Sequence, residues 1–306
     1  MDTAAAGGNG AMSSPVSQHP QRSSRPIAAD VDVFGLSDRG RVRTENQDQF
    51  LIGSLHKLLR VHQTSLGEHD LSQVVSESRG FLFLVADGVG GALHGREASG
   101  AALRAIAEYV THLMTLYRRM DPQQETGFLE ELERTVRRTH RDLVSRGEEE
   151  GDGALATTLT MVAVLWPRAY LVQVGDSRCY RLRDSRLELM SKDQTMAQAL
   201  VDAGALTPAD AERSPLRNVL SSALGGPAAT PMTASTDCRW DDVLLLCTDG
   251  LTKHVSEAEI QDVLRRRLSA EDTCRHLVDT ALARGGSDNV TVVVGRLRTR
   301  ERESGA

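Results

Sequence analysis

Long apolar runs that meet an aspartate are the clearest pattern in this 306-residue chain. Three such junctions occur: Phe81–Ala86 before Asp87, Val243–Thr248 before Asp249, and Val290–Val294 after Asp288. Runs of this length, rich in leucine and β-branched residues, predict buried strands. Taken alone, the Asp-Gly pairs after the first two runs are more typical of a hairpin turn. If the aspartates converge, however, their oxygens would form a site for hard divalent cations.

Alternating and apolar segments predict nine strands, at residues 31–37, 48–53, 80–86, 159–165, 169–175, 179–183, 186–190, 242–248 and 289–296. Residues 183–186 have the composition of a hairpin turn. Helical spacing of apolar residues predicts long helices over 98–117 and 128–144. Ser256 with Glu259 predicts a capping box, and Thr207-Pro208 and Ser269 predict two further helix starts. Strands grouped at both ends of the chain, with helix pairs between them, indicate an α+β fold.

Composition at the two ends predicts tails around one domain. Residues 1–28 are rich in Ala, Gly, Ser, Pro and Gln, so we expect a disordered tail there. Residues 29–298 form the predicted catalytic domain, and 299–306 form a second tail. Residues 54–80 are predicted to be an insertion between two strands, with a possible helical turn at 56–59.

Overall charge and cysteine content exclude several classes of function. The net charge is −6, and the longest basic block is Arg265–Arg267, so nothing indicates binding to nucleic acid. The four cysteines lack the spacing of a zinc site and are interpreted as reduced thiols. No apolar stretch reaches the roughly 18 residues that would cross a membrane, and no secretion signal is present. We therefore expect a cytoplasmic protein.

Several short motifs occur in a fixed order along the chain: Gly35–Asp48, Asp87–Gly91, Ala154–Thr158, Val174–Tyr180, Ser191–Asp193, Leu224-Gly225, Asp249-Gly250 and Ser287–Asn289. Each motif is weak alone, but the ordered series from about residue 30 to 297 resembles the metal-dependent serine/threonine protein phosphatases of type 2C, the PPM family. The resemblance implies a four-layer α-β-β-α sandwich, with two antiparallel sheets flanked by helices. It also implies a mobile flap at about residues 193–222. Some bacterial members carry a membrane anchor after the catalytic domain, and from the ending of this chain we expect none here.

The resemblance implies two Mn²⁺ or Mg²⁺ ions, which activate a water molecule for attack on phosphoserine or phosphothreonine. Asp87 would bridge both ions, Gly88 would offer its carbonyl oxygen, and Asp249 and Asp288 would complete the first ion's ligands. Glycine suits position 88 because a residue without Cβ lets the backbone approach an ion closely.

Three further residues have roles implied by the resemblance. Asp48 is similar to a residue that contacts water on the metals. Arg43 is similar to the arginine that binds the substrate phosphate, because a guanidinium group can contact two oxygens at once. Asp176 is similar to a ligand of a weaker third ion that it shares with Asp249. The alternative for Asp176 is a local ion pair with Arg178.

Four positions depart from the usual family pattern, and two of them, Gln47 and Val89, bear on the chemistry. Gln47 replaces a glutamate near the second metal, so the side chain at this position carries no negative charge. Val89 replaces a histidine that would protonate the leaving group, and His94 is interpreted as a loop residue. Ala92 and Arg96 also replace commoner residues. The expected orienting residues around the aspartates are Thr157, Thr158, Ser177 and Asn289.

The function predicted from these residues is a protein phosphatase that opposes a serine/threonine kinase, with phosphorylated proteins, the kinase among them, as partners. The alternative is a catalytically weak regulatory module of the same fold that binds phosphoproteins. The intact set of aspartates favours the enzyme.

Overall fold

The structure, a computed structural model, describes residues 26, 28–56, 78–89, 92–113, 122–150 and 155–298. Nearly all of the two predicted tails lies outside the described residues, as does most of the predicted 54–80 insertion. The part of the insertion that is described belongs to strands, and His56 is the last residue of one of them.

The strands are β1 (Val31–Asp38), β2 (Gln49–His56), β3 (Ser78–Ala86), β4 (Gly88–Val89), β5 (Ala156–Thr157), β6 (Leu159–Leu165), β7 (Arg168–Val174), β8 (Arg178–Arg183), β9 (Arg186–Leu189), β10 (Met232–Asp237), β11 (Val243–Cys247) and β12 (Val290–Leu297). The α-helices are α1 (Ala92–Leu113), α2 (Pro122–Glu150), α3 (Met196–Asp202), α4 (Pro208–Arg213), α5 (Asp249–Thr252), α6 (Glu257–Arg265) and α7 (Ala270–Ala283). Short 3-10 turns occupy Ala28–Asp30 and Pro215–Asn218.

Two five-stranded antiparallel sheets form the centre of the molecule. One has the order β1-β12-β11-β8-β9, the other has the order β10-β7-β6-β3-β2, and β4 pairs with β5 in a small separate ladder. Helices α1 and α2 pack on the second sheet, and α6 and α7 pack on the first. A third apolar cluster lies between the sheets. This confirms the four-layer α-β-β-α sandwich.

The sequence of strand β3 is almost continuously apolar because both faces of the strand are buried. Its side chains alternate between the helix-facing cluster and the cluster between the sheets: Leu82, Leu84 and Ala86 face one way, and Phe81, Phe83 and Val85 the other. All six are buried. Burial of a large apolar side chain is worth about 1.5–3 kcal/mol, so both faces of this strand stabilise the fold.

Local signals in the sequence are mostly confirmed. Ser256 and Glu259 form the predicted capping box, and Ser269 caps α7. The predicted 183–186 hairpin is present, with positive φ at both central residues. Helix α1 begins earlier than predicted, so His94 lies in a helix and not in a loop. Strand β10 was not predicted.

All four cysteines are buried and free, as predicted. Within the described ranges, no helix combines the length and apolarity needed to cross a bilayer.

Candidate metal centre

Strand register brings the predicted aspartates to one edge of the sandwich. In the second sheet Gln49 pairs with Ala86, so Asp48 and Asp87 lie side by side at the strand ends. In the first sheet Cys247 pairs with Val292, so the end of β11 lies beside the start of β12. Asp249 and Asp288 flank that point. The two sheets therefore deliver four carboxylates to the same region.

Close backbone packing at this edge requires glycine at two positions. A Cβ on Gly88 would lie 2.3 Å from the carbonyl oxygen of Gly95, where β4 meets helix α1. A Cβ on Gly250 would lie 1.8 Å from the carbonyl oxygen of Asn289. Any side chain at either position would displace the backbone that carries the neighbouring aspartate.

Asp48 is the most enclosed of the four, with 3% of its surface exposed. Its Oδ2 accepts hydrogen bonds from Thr248 Oγ1 at 2.8 Å and Thr291 Oγ1 at 2.7 Å. Its Oδ1 is buried and has no hydrogen-bond partner within the described residues. Burial raises the pKa of Asp48 to about 7; the two threonines oppose this effect, and Asp249 and Asp288 add to it.

Asp87 is held by its backbone. Its N–H donates to Thr158 Oγ1 at 2.9 Å, and its carbonyl oxygen accepts from Thr158 N at 2.8 Å and from Thr157 Oγ1 at 2.9 Å. Burial raises the pKa of Asp87 well above its ordinary value, and the charges of Asp48 and Asp249 raise it further. The side chain is thus fixed at a place where its negative charge is poorly stabilised.

Asp249 divides its oxygens between two environments. Oδ2 lies 2.6 Å from Lys253 Nζ, whereas Oδ1 is buried without a hydrogen-bond partner among the described residues. Burial raises the pKa of Asp249, although Lys253 opposes that shift.

Asp288 is the best-compensated carboxylate of the group. Arg43 donates from Nε to Oδ1 at 2.7 Å and from Nη2 to Oδ2 at 2.9 Å, and Lys253 Nζ lies 2.8 Å from Oδ2. Burial alone would raise the pKa of Asp288, but the bonds from Arg43 and Lys253 outweigh it and lower that pKa.

The donor set fits divalent cations. Buried carboxylate oxygens without partners are rare in folded proteins, and two of them, Asp48 Oδ1 and Asp249 Oδ1, occur in this one cluster. Oxygen donors are the ligands that Mg²⁺ and Mn²⁺ prefer. Among the described residues no three His, Cys, Asp or Glu side chains already surround a common point as ligands. In the described structure, Arg43 and Lys253 bind the oxygens of Asp288 instead.

Asp176 lies near the same cluster and is 8% exposed. The alternative that it pairs with Arg178 is wrong, because the Arg178 guanidinium binds Asp193 through two bonds of 2.9 and 2.7 Å. Burial raises the pKa of Asp176 to about 7, and Asp249 and Asp193 raise it further, whereas Lys253 lowers it.

The predicted orienting residues do contact the loops that hold the aspartates. Thr158 and Ser177 share a hydrogen bond of 2.8 Å behind Asp87. The Asn289 side chain accepts from Gln47 N and donates to the carbonyl oxygens of Arg39 and Glu45. Asn289 therefore fastens the loop that carries Arg43 and Asp48 to the start of β12.

Gln47 and Val89, the two departures from the family pattern that bear on the chemistry, lie beside the centre. A Cβ on Gly95 would lie 2.7 Å from Gln47 Oε1, which places this side chain next to the Gly88–Gly95 contact. Val89 is partly exposed on β4. Arg39 and Arg41 are exposed.

A cavity of about 700 Å³ opens on the side of Asp176 and Asp249. One wall is formed by the flap, residues 193–222, which includes α3, α4 and the 3-10 turn at Pro215–Asn218. Lys253 and His254 form part of the opposite wall.

Lys253 is the residue that sequence reasoning missed. Its sequence spacing could have indicated this contact. Lys253 is four positions after Asp249, and residues four apart project from the same face of a helical turn. Arg178 was considered, but its partner Asp193 was not, because the two residues are 15 positions apart in the sequence.

The Protein phosphatase 2C family model matches residues 62–284 of the chain. That range exceeds half of the chain and includes Asp87, Asp176 and Asp249 of the centre just described. The chain belongs to the protein phosphatase 2C family.

Curated relatives agree with this assignment. The chain is 34% identical over 260 residues to the serine/threonine protein phosphatase PstP of Mycobacterium tuberculosis, covering 84% of this chain and 43% of that one. It is 28% identical over 263 residues to the serine/threonine phosphatase stp of Listeria innocua, covering 84% and 92%. The chain thus spans less than half the length of the PstP relative.

A solved structure of the PstP catalytic domain, in complex with two manganese ions, is also similar. It has a TM-score of 0.67 and 31% sequence identity to this chain, and the match covers 88% of this chain and 99% of that one.

Proposed function

We propose that this chain hydrolyses phosphoserine and phosphothreonine in proteins, with two Mn²⁺ or Mg²⁺ ions as cofactors. The proposal rests on two buried carboxylate oxygens, one on Asp48 and one on Asp249, that have no hydrogen-bond partner in the described part of the chain and lie in a cluster of like charges. Such a cluster is unfavourable unless cations enter it. The similarity to bacterial serine/threonine phosphatases supports the same function.

The residues that would hold the ions are Asp87, the carbonyl oxygen of Gly88, Asp249 and Asp288, with Asp48 beside them. When bound, two divalent ions lower the pKa of a water molecule and offset negative charge on the phosphoryl group. Asp176 is the remaining carboxylate, on the cavity side of the cluster.

Arg43 is suited to bind the phosphate. Its side chain is half exposed, and its Nε and Nη2 already present two parallel donors to a carboxylate. A phosphate offers the same spacing of oxygens, so the guanidinium can exchange Asp288 for substrate. The cavity under the flap would accept the polypeptide next to the phosphorylated residue.

Proteins phosphorylated by a serine/threonine kinase are the proposed substrates, and the kinase itself is a proposed partner. Residues 29–298 are the proposed catalytic domain, with the cytoplasm as its proposed place of action. The names of the bacterial relatives support the substrate class. The identity of the kinase rests on family analogy.

Release of phosphate from a phosphothreonine peptide tests the proposal. We expect hydrolysis with Mn²⁺ and none with excess chelator, and activity should return when Mn²⁺ is restored. Full activity in chelator would contradict the metal-dependent mechanism. Tight peptide binding without turnover in Mn²⁺ would instead support the alternative of a regulatory binding module.

A further inference from the structure

Lys253 enters the acidic cluster directly after the helical turn that starts at Asp249. Its Nζ lies 2.6 Å from Asp249 Oδ2 and 2.8 Å from Asp288 Oδ2. Three-quarters of the side chain is buried, so the ammonium group is held in place and is not a surface charge that visits the site. It is bound by two carboxylates that the proposed function assigns to metal ions.

The position of the ammonium decides which oxygens remain for metals. At Asp249 it covers Oδ2 and leaves the buried Oδ1 without a partner among the described residues. Asp249 therefore keeps one oxygen for the two-ion centre, and its other oxygen already has a cation.

Asp176 completes the geometry on the cavity side. Asp176, Asp249 and Lys253 line the same cavity. The nearest basic residue in sequence, Arg178, is engaged by Asp193 and is not available to Asp176. A third metal ion between Asp176 and Asp249 would lie beside the Lys253 ammonium, which is 2.6 Å from Asp249 Oδ2.

We propose that the ammonium group of Lys253 takes the place of a third divalent ion at the edge shared by Asp176 and Asp249. The chain then binds two metal ions and not three. A divalent ion at that edge would lie close to the ammonium group and be repelled by it. Lys253 is thus a built-in cation of the site, and Asp176 is its neighbour and not a metal ligand. The inference rests on the proposed function for the two-ion centre.

The number of Mn²⁺ ions bound per chain tests the inference without reference to activity. It is measured by equilibrium dialysis of the full chain, with free Mn²⁺ followed by electron paramagnetic resonance. We expect two bound ions in the wild type and a third in Lys253→Met. The double variant Lys253→Met/Asp176→Asn should return to two. Lys192→Met is the matched control, because Lys192 pairs with Asp202 at 2.8 Å, away from the cluster, and should leave the count at two.

A single variant decides the case even if Lys253→Met does not fold. Asp176→Asn in the wild-type background should leave the ion count at two. Three ions in the wild type, with one lost in Asp176→Asn, would overturn the inference, as would a folded Lys253→Met that still binds two. Absence of hydrolysis with these ion counts intact would contradict the proposed function alone. A chain that binds no ion would overturn both.

Discussion

Strand β11 has an aspartate near each of its ends: Asp242 is buried, Asp249 is partly buried, and their carboxylates have opposite surroundings. Asp242, just before the strand, accepts from Arg183 Nε at 2.7 Å and Nη2 at 2.6 Å, and from Arg239 N at 2.8 Å. Asp249, just after it, has one oxygen on Lys253 and one with no partner among the described residues. Asp242 precedes and Asp249 follows the same apolar run.

The contrast separates a carboxylate that stabilises the fold from one that is kept for chemistry. Asp242 has its charge neutralised and both oxygens bonded, which is what a buried acid needs in a structural role. Asp249 lies beside like charges with an unbonded oxygen, a condition that persists in proteins where a ligand compensates it. The number of bonded carboxylate oxygens therefore distinguishes the two ends of one strand.

Replacement at the metal end should have the largest effect. Asp249→Asn should abolish turnover and leave the fold intact, because it removes a ligand charge without changing volume. The assay is phosphopeptide hydrolysis at saturating Mn²⁺, with circular dichroism as the check on folding. Turnover near that of the wild type in this variant would remove Asp249 from the set of metal ligands.

The same replacement at the other end should affect stability. Asp242→Asn should lower the free energy of unfolding by about 3 kcal/mol. This value is near the lower end for a broken buried ion pair, because Arg183 keeps its other ion pair, with Asp237. Urea unfolding measures this change. Turnover under conditions where the variant is folded should match the wild type. A loss of turnover without loss of stability would mean that the two aspartates do not divide these roles.

Arg43→Ala should weaken turnover of phosphoproteins, because it removes a charged donor from the phosphate. The loss of such a contact costs about 1.5–3 kcal/mol, or roughly ten- to a hundredfold in kcat/KM. Arg41→Ala is the matched control on the same loop and should have kinetics close to the wild type. The reverse pattern would show that the phosphate-binding arginine has been assigned to the wrong position.

The smallest expected effect is at position 47. Gln47→Glu should lower the Mn²⁺ concentration for half-maximal activity, because it adds a carboxylate next to the Gly88–Gly95 contact. The maximal rate should change less. Gln261→Glu, which adds the same charge on α6, should leave the Mn²⁺ titration unchanged. Unchanged or weaker activation in Gln47→Glu would mean that position 47 does not influence the metals.

Most of the sandwich could be predicted because its central strands are apolar on both faces. Strands β3, β6, β11 and β12 were predicted to within two residues of their observed ends. Strand β10, Met232–Asp237, was missed because its Thr-Ala-Ser-Thr interior has no apolar run. The pairing of sheets into four layers came from the family resemblance, since periodicity does not say which strands are neighbours.

A residue of the candidate centre could be predicted where a single short motif contains both that residue and the strand end that positions it. Asp87, Asp249 and Asp288 each stand at a strand end, and strand register brings them together. Lys253 could not be assigned in this way, because its role depends on Asp288, which is distant in sequence. The Arg178–Asp193 pair was missed for the same reason, so the local alternative for Asp176 was wrong.

The four free cysteines have a consequence for redox behaviour. Burial raises the pKa of Cys238, Cys247 and Cys274 to about 12, and it also raises the pKa of Cys179. The thiolate, which is the form that peroxides and alkylating agents attack, is therefore scarcely populated at neutral pH. Because all four thiols are shielded in this way, we expect peroxides and alkylating agents to react slowly with the cysteines of the folded chain.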